Sequence, residues 1–156
     1  MIHFGHSPIP AIDPGDDVLF IEARAEIGSE RLDPVIGDLP AKVGLLASVQ
    51  YIHLLDGIKD RVESTGRSAV IGMGDTRICY PGQVLGCNCS AGRAVEDDVD
   101  GFLFVGEGDF HPLAAAFSLR KPVTVFNPIT GEACSLDKIR DRILRRRFAA
   151  IERARD

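Results

Sequence analysis

The chain has 156 residues, a net charge of −5, 45% apolar residues and 26% charged ones. That is enough chain for one domain with a real core, in the composition of a folded globular protein. The acidic balance argues against wholesale nucleic-acid or anionic-membrane binding, and no apolar run approaches the roughly 18 residues of a membrane span.

Residues 1–17 hold two histidines, three prolines and three acids, and resemble the exit from something preceding rather than the start of a domain. Met1 to Pro10 has no basic stretch followed by an apolar run, so no secretory signal is read there. The first apolar run is 18–21, ending at Glu22. The next is 42–47, after which Ser48 is placed to cap a helix over 49–63 with Ile52, Leu55, Ile58 and Val62 at helical spacing. Gly66 closes that helix, and 68–73 reads as a third strand. Residues 78–85 are extended but interrupted by Pro81 and Gly82, and 91–95 form a short helix. Residues 101–105 read as a buried strand, 112–119 as a helix with proline in its first turn, and 122–126 as a further strand. Asn127-Pro128 and Thr130-Gly131 mark turns before a long helix over 136–155.

The strand-like runs are short, continuous and apolar rather than alternating, as in strands buried on both faces. The predicted fold is α/β: one three-layer α/β/α domain over 18–156, with a mostly parallel sheet of four or five strands. In such sheets ligands bind outside the carboxyl ends of the strands, where Cys87 and the Gly106 loop are both expected.

Cys87 and Cys89 form a C-x-C pair. A thiolate pair suits a soft metal, an iron–sulfur cluster or redox chemistry; the plainer reading is two small residues in the core. No C-x-x-C pair of a zinc site is present, and Cys79 and Cys134 read as structural. Four cysteines without a regular framework fit reduced thiols, so a cytoplasmic location is expected. Gly106, Gly108 and His111 lie in a strand-to-helix loop whose glycines permit close approach to a ligand and whose helix start offers N–H groups. Glu107 and Asp109 would repel a phosphate there, which favours a neutral or cationic guest. The plainer reading is a helix start capped by Asp109. His3, Gly5 and His6 form an H-x-G-H cluster, read either as metal ligands or as a packed terminus. The final helix sets seven arginines beside a stripe of Leu136, Ile139, Ile143, Leu144, Phe148 and Ile151, so it is expected to pack on a neighbour. A solvated basic face is the default for the arginines, against an RNA or acidic-partner contact. No nucleophile elbow, P-loop or H-E-x-x-H is present.

The strings Ile2-His3-Phe4-Gly5-His6-Ser7, Val18-Leu19-Phe20-Ile21-Glu22-Ala23 and Gly82-Gln83-Val84-Leu85-Gly86-Cys87 are similar, in order and spacing, to the diphthamide synthase family. So are Phe104-Val105-Gly106, Phe110-His111-Pro112-Leu113, Lys121-Pro122-Val123 and Ile143 to Phe148. The resemblance covers nearly the whole chain, and the string ending at Cys87 is its most specific part. It implies a central α/β/α domain supplying one cysteine, Cys87, to a [4Fe-4S] cluster. It further implies that S-adenosylmethionine is cleaved there and its 3-amino-3-carboxypropyl group transferred to a histidine of translation elongation factor 2. Gln83, Gly106, Gly108 and His111 are the expected cofactor-side residues. No cysteine matches the family's other two ligands, so the chain alone is expected to be inactive and to need companion chains or a second copy. A non-catalytic scaffold of the same ancestry, and an unrelated α/β thiol-redox or nucleotide-binding protein, are the competing readings.

Overall fold

The computed structural model describes residues 1–86 and 88–155. Its centre is a five-stranded sheet built from β3 (Lys42–Ala47), β4 (Ser68–Val70), β5 (Gly101–Val105), β6 (Val123–Asn127) and β7 (Glu132–Ser135). The spatial order is β4-β3-β5-β6-β7, with only β7 antiparallel. The continuous apolar runs form strands because both of their faces are covered. On one face Val43, Leu45, Ala47, Leu103 and Val105 meet α1 (Asp33–Ile36) and α2 (Leu55–Glu63) through Val35, Ile36, Leu55, Ile58 and Val62. On the other, Leu46, Phe102, Phe104, Val123 and Val125 meet α3 (Ser90–Arg93) and α4 (Phe110–Ser118) through Ala91, Ala115 and Ala116. The predicted α/β architecture with a mostly parallel sheet is therefore the observed one.

Several local expectations change. The run ending at Ile21 is not a buried strand: β2 (Leu19–Ile21) leaves the central sheet and pairs in parallel with β1 (Ile2–Phe4) as a separate ribbon. Leu19 is 56% and Ile21 38% exposed, so this apolar run is not paired by the main sheet's core. Residues 49–54 wind as a 3-10 helix before α2 begins, and Ser48 makes no side-chain cap; its carbonyl accepts from the Tyr51 N–H at 3.0 Å instead. Strand β7 and the helical turns over 29–36 carry too little apolar periodicity to be read from sequence.

The last helix, α5 (Asp137–Arg153), forms as predicted but is anchored only near its start. Leu136 is 2% exposed and Ile139 packs against the core beside α4, whereas Phe148 is 69% and Ile151 52% exposed. The helix therefore packs on the domain as expected, through its first turns, and the far part of its stripe stays exposed.

Candidate functional site

The chain runs from β3 outward to β4, then returns to place β5 on the other side of β3. The strand order therefore reverses between β3 and β5, and a crevice opens at their carboxyl ends. The Gly82–Gly86 string lies across that point. Ala47 donates its N–H to the Gly82 carbonyl at 2.9 Å, and its own carbonyl accepts from the Val84 N–H at 2.9 Å. Gly82 has φ +75°, and a Cβ there would stand 2.5 Å from Leu55, so only glycine lets the loop close onto the sheet. Leu85 and Asn88 exchange backbone hydrogen bonds of 2.8 and 3.1 Å. Asn88 then donates to both carboxylate oxygens of Asp75, at 3.0 and 3.1 Å.

The second component is the loop after β5. Burial, followed by the neighbouring Glu107 carboxylate, holds the Tyr51 phenol well above its ordinary pKa. Tyr51 thus stays protonated and donates a short hydrogen bond to Glu107. Asp109 occupies the cap position of α4 but makes no side-chain cap bond, which removes the plainer reading of that residue. Phe110 is 69% exposed and sets its ring edge-on to His111, centroids 5.4 Å apart. His111 is half-buried; burial first, and the charge of His6 second, hold its pKa below the usual histidine value.

Two cavities flank this loop. One of about 440 Å³ is lined by His6, Arg77, Gly86, Asn88, Phe110 and His111, among others. The other, about 430 Å³, lies toward β7 and is lined by Gly106, Gly108, Asp109, Asn127, Glu132 and Cys134, among others. The first has basic and imidazole groups in its wall, the second carboxylates. Glu107, expected to face a cationic ligand, has one carboxylate oxygen on Tyr51 instead and lines neither cavity.

The site residues read from sequence separate accordingly. Cys87 lies outside the described residues; its chain neighbours Gly86 and Asn88 both line the 440 Å³ cavity. Gly106 and Gly108 line the carboxylate-bearing cavity and His111 the histidine-bearing one. Gln83 is not a surface ligand: it is fully buried, its Oε1 accepts from the Cys79 and Tyr80 N–H groups at 3.1 and 3.3 Å, and its Nε2 donates to Ser7. The Cys79 thiol donates to the Pro8 carbonyl at 3.0 Å, Cys89 is 2% exposed within the core, and Cys134 is exposed on β7. Among the described residues no group of three or more His, Cys, Asp or Glu side chains is arranged to hold a metal ion. His3 stacks on Phe20 with ring centroids 5.2 Å apart and stands edge-on to His6 at 6.4 Å. Sequence reading missed Arg77 and Tyr51, which carry no motif, and left His6 undecided because its partner is remote in the chain.

A parallel α/β/α sheet with glycine-bearing loops converging on a strand-order switch is the architecture of an α/β domain that binds a ligand or cofactor at its carboxyl edge. The sequence profile of the diphthamide synthesis protein family matches residues 1–156, and the chain belongs to that family. A 2-(3-amino-3-carboxypropyl)histidine synthase from Pyrococcus horikoshii is 38% identical over 162 residues, covering 100% of this chain and 45% of the relative. The same-named protein of Methanocaldococcus jannaschii is 27% identical over 167 residues, covering 98% of this chain and 41% of the relative. The crystal structure of Dph2 from Pyrococcus horikoshii with a 4Fe-4S cluster superposes with a TM-score of 0.84 at 38% identity, over 98% of this chain and 45% of that one. The chain thus spans less than half the length of these relatives. Among the described residues, no helix is long and apolar enough to cross a membrane.

Proposed function

We propose that this chain forms the central α/β portion of a 2-(3-amino-3-carboxypropyl)histidine synthase, with Cys87 as one ligand of a [4Fe-4S] cluster. The carrying observation is that Gly86 and Asn88, on either side of position 87, line the cavity at the strand-order switch that His111 also lines. The donor chemistry fits: the Cys79 thiol is engaged with Pro8, Cys89 is packed in the core, and Cys134 lies in the other cavity's wall. When bound, a [4Fe-4S] cluster supplies the electron for carbon–sulfur cleavage of S-adenosylmethionine.

The chain's own residues bind and orient. Gly106 and Gly108 let backbone approach the ligand, and His111, held toward its neutral form, offers an imidazole in the wall shared with Gly86. Gln83 contributes by holding the loop rather than by touching the ligand. The acceptor is a histidine of translation elongation factor 2, the reaction takes place in the cytoplasm, and the remaining thiolates come from companion polypeptide or a second copy.

Anaerobic reconstitution with iron and sulfide, together with the polypeptide that completes the relatives' length, tests this. Cys87→Ala is expected to lower bound iron and abolish transfer to elongation factor 2, whereas Cys134→Ser leaves both intact. Unchanged iron content and transfer in Cys87→Ala would overturn the assignment.

A further inference from the structure

Two of the strings singled out in the sequence meet in space. Ser7 and Gln83, 76 residues apart, share a buried hydrogen bond of 2.7 Å, with Ser7 3% and Gln83 0% exposed. Around it the segment is held repeatedly: Gln50 Nε2 donates to the Gly5 carbonyl at 2.9 Å, and the Cys79 thiol to the Pro8 carbonyl at 3.0 Å. Gly5, at φ +77°, turns the chain out of β1 and into this set of bonds. Residues 5, 7 and 8 are thus each fixed by a side chain from elsewhere. The one between them, His6, stays exposed; its Nδ1 lies 3.0 Å from the Phe4 carbonyl and its ring lines the cavity that His111 lines.

A buried amide is an expensive way to fill space, because any unmade bond costs more than an apolar side chain would. Full satisfaction of a buried polar group instead specifies one arrangement. Here the arrangement specified is the seating of residues 5–8, on a ribbon that the central sheet does not support. We propose that Ser7 and Gln83 form a clamp that seats His6 in the cavity wall together with His111, making His6 a residue of the site and Gln83 its positioning residue. The proposal is independent of the cluster and of the reaction assigned above. Among the described residues, the charged or chargeable side chains lining the cavity are His6, Arg77 and His111; Asp75 lies 3.9 Å from Arg77, Asp109 stands two residues before His111, and the His3 ring sits edge-on to His6 with centroids 6.4 Å apart.

The test is an NMR titration of the histidine rings in the full chain, prepared without iron. His6→Ala removes the charge that faces His111 and is expected to raise the His111 midpoint, which sets the full size of the effect. Ser7→Ala is expected to reproduce at least half of that rise, because an unseated His6 no longer faces His111. A clamp serving stability alone would lower the unfolding midpoint and leave the His111 titration where it is. Gln83→Met is expected in addition to speed amide exchange at Cys79 and Tyr80, which Ser7→Ala leaves protected; if Gln83→Met does not fold, Ser7→Ala carries the test. A wild-type His111 midpoint in Ser7→Ala, beside a raised one in His6→Ala, would overturn the clamp. An unmoved midpoint in His6→Ala would overturn the pairing itself.

Discussion

The two ends of the chain lie outside the central sheet and are held in opposite ways. The N-terminal ribbon is poor in apolar periodicity and exposes Ile2, Phe4, Leu19 and Ile21, yet Gly5, Ser7 and Pro8, which follow its first strand, are stitched to Gln50, Gln83 and Cys79 by buried or half-buried hydrogen bonds. The C-terminal helix has a clear apolar stripe and anchors only its first turns, through Leu136 and Ile139. A hydrophobic stripe states that a helix can form, not that a partner covers it. A few specific polar bonds can fix a segment that has no stripe at all.

The largest test of that contrast is Gln83→Leu. It leaves the Cys79 and Tyr80 N–H groups and the Ser7 hydroxyl without their partner. At about 1–3 kcal/mol for each stranded buried group, a total loss of at least about 3 kcal/mol is expected in urea unfolding. Ser7→Ala strands only the Gln83 amide and should cost about 1–2 kcal/mol, with faster proteolytic cleavage within residues 9–17 than in the parent. Equal cleavage rates would show that the ribbon is held by something else.

Glu96 provides a stitched point in the layer on which α5 leans. Burial pushes its carboxyl up, but the Arg120 backbone and side chain and the Lys121 N–H outweigh that, so its pKa lies below the ordinary value. A carboxyl depressed on folding stabilises above its unfolded pKa, and the contribution disappears as pH falls through the folded-state value. Glu96→Gln should therefore lose stability at neutral pH and converge on the parent in acid; a constant gap down to pH about 2, below the ordinary carboxylate range, would contradict the assignment. The smallest effect is expected at the far end of α5, where Phe148→Ser and Ile151→Ser should each shift stability by about 0.5 kcal/mol or less. A loss several times larger would mean that this half of the helix is covered in solution.

Much of the fold was legible because burial on both faces leaves a local trace. Residues 42–47 and 101–105 are unbroken apolar runs and coincide with β3 and β5. The run ending at Ile21 misled for the same reason: it has a strand's composition, but its pairing partner is β1 and its faces remain largely open. At the candidate site, the strand-to-helix loop that carries Gly106, Gly108 and His111 was legible from turn chemistry. Their division between two cavities was not, since that depends on which neighbour crosses each side of the loop. Gln83 was read as facing a cofactor because its string is specific, and the structure turns its amide inward.

The sequence by itself determined the class of fold, the turns that end its strands, and the strings that mark its family, because each is written in residues close together in the chain. The tertiary structure decided that the Gly82–Gly86 string crosses the end of β3, that Ser7 meets Gln83, and that His6 and His111 line one cavity. Those outcomes depend on which distant donors and acceptors a folded chain brings within about 3 Å of each other, a distance that no local pattern encodes.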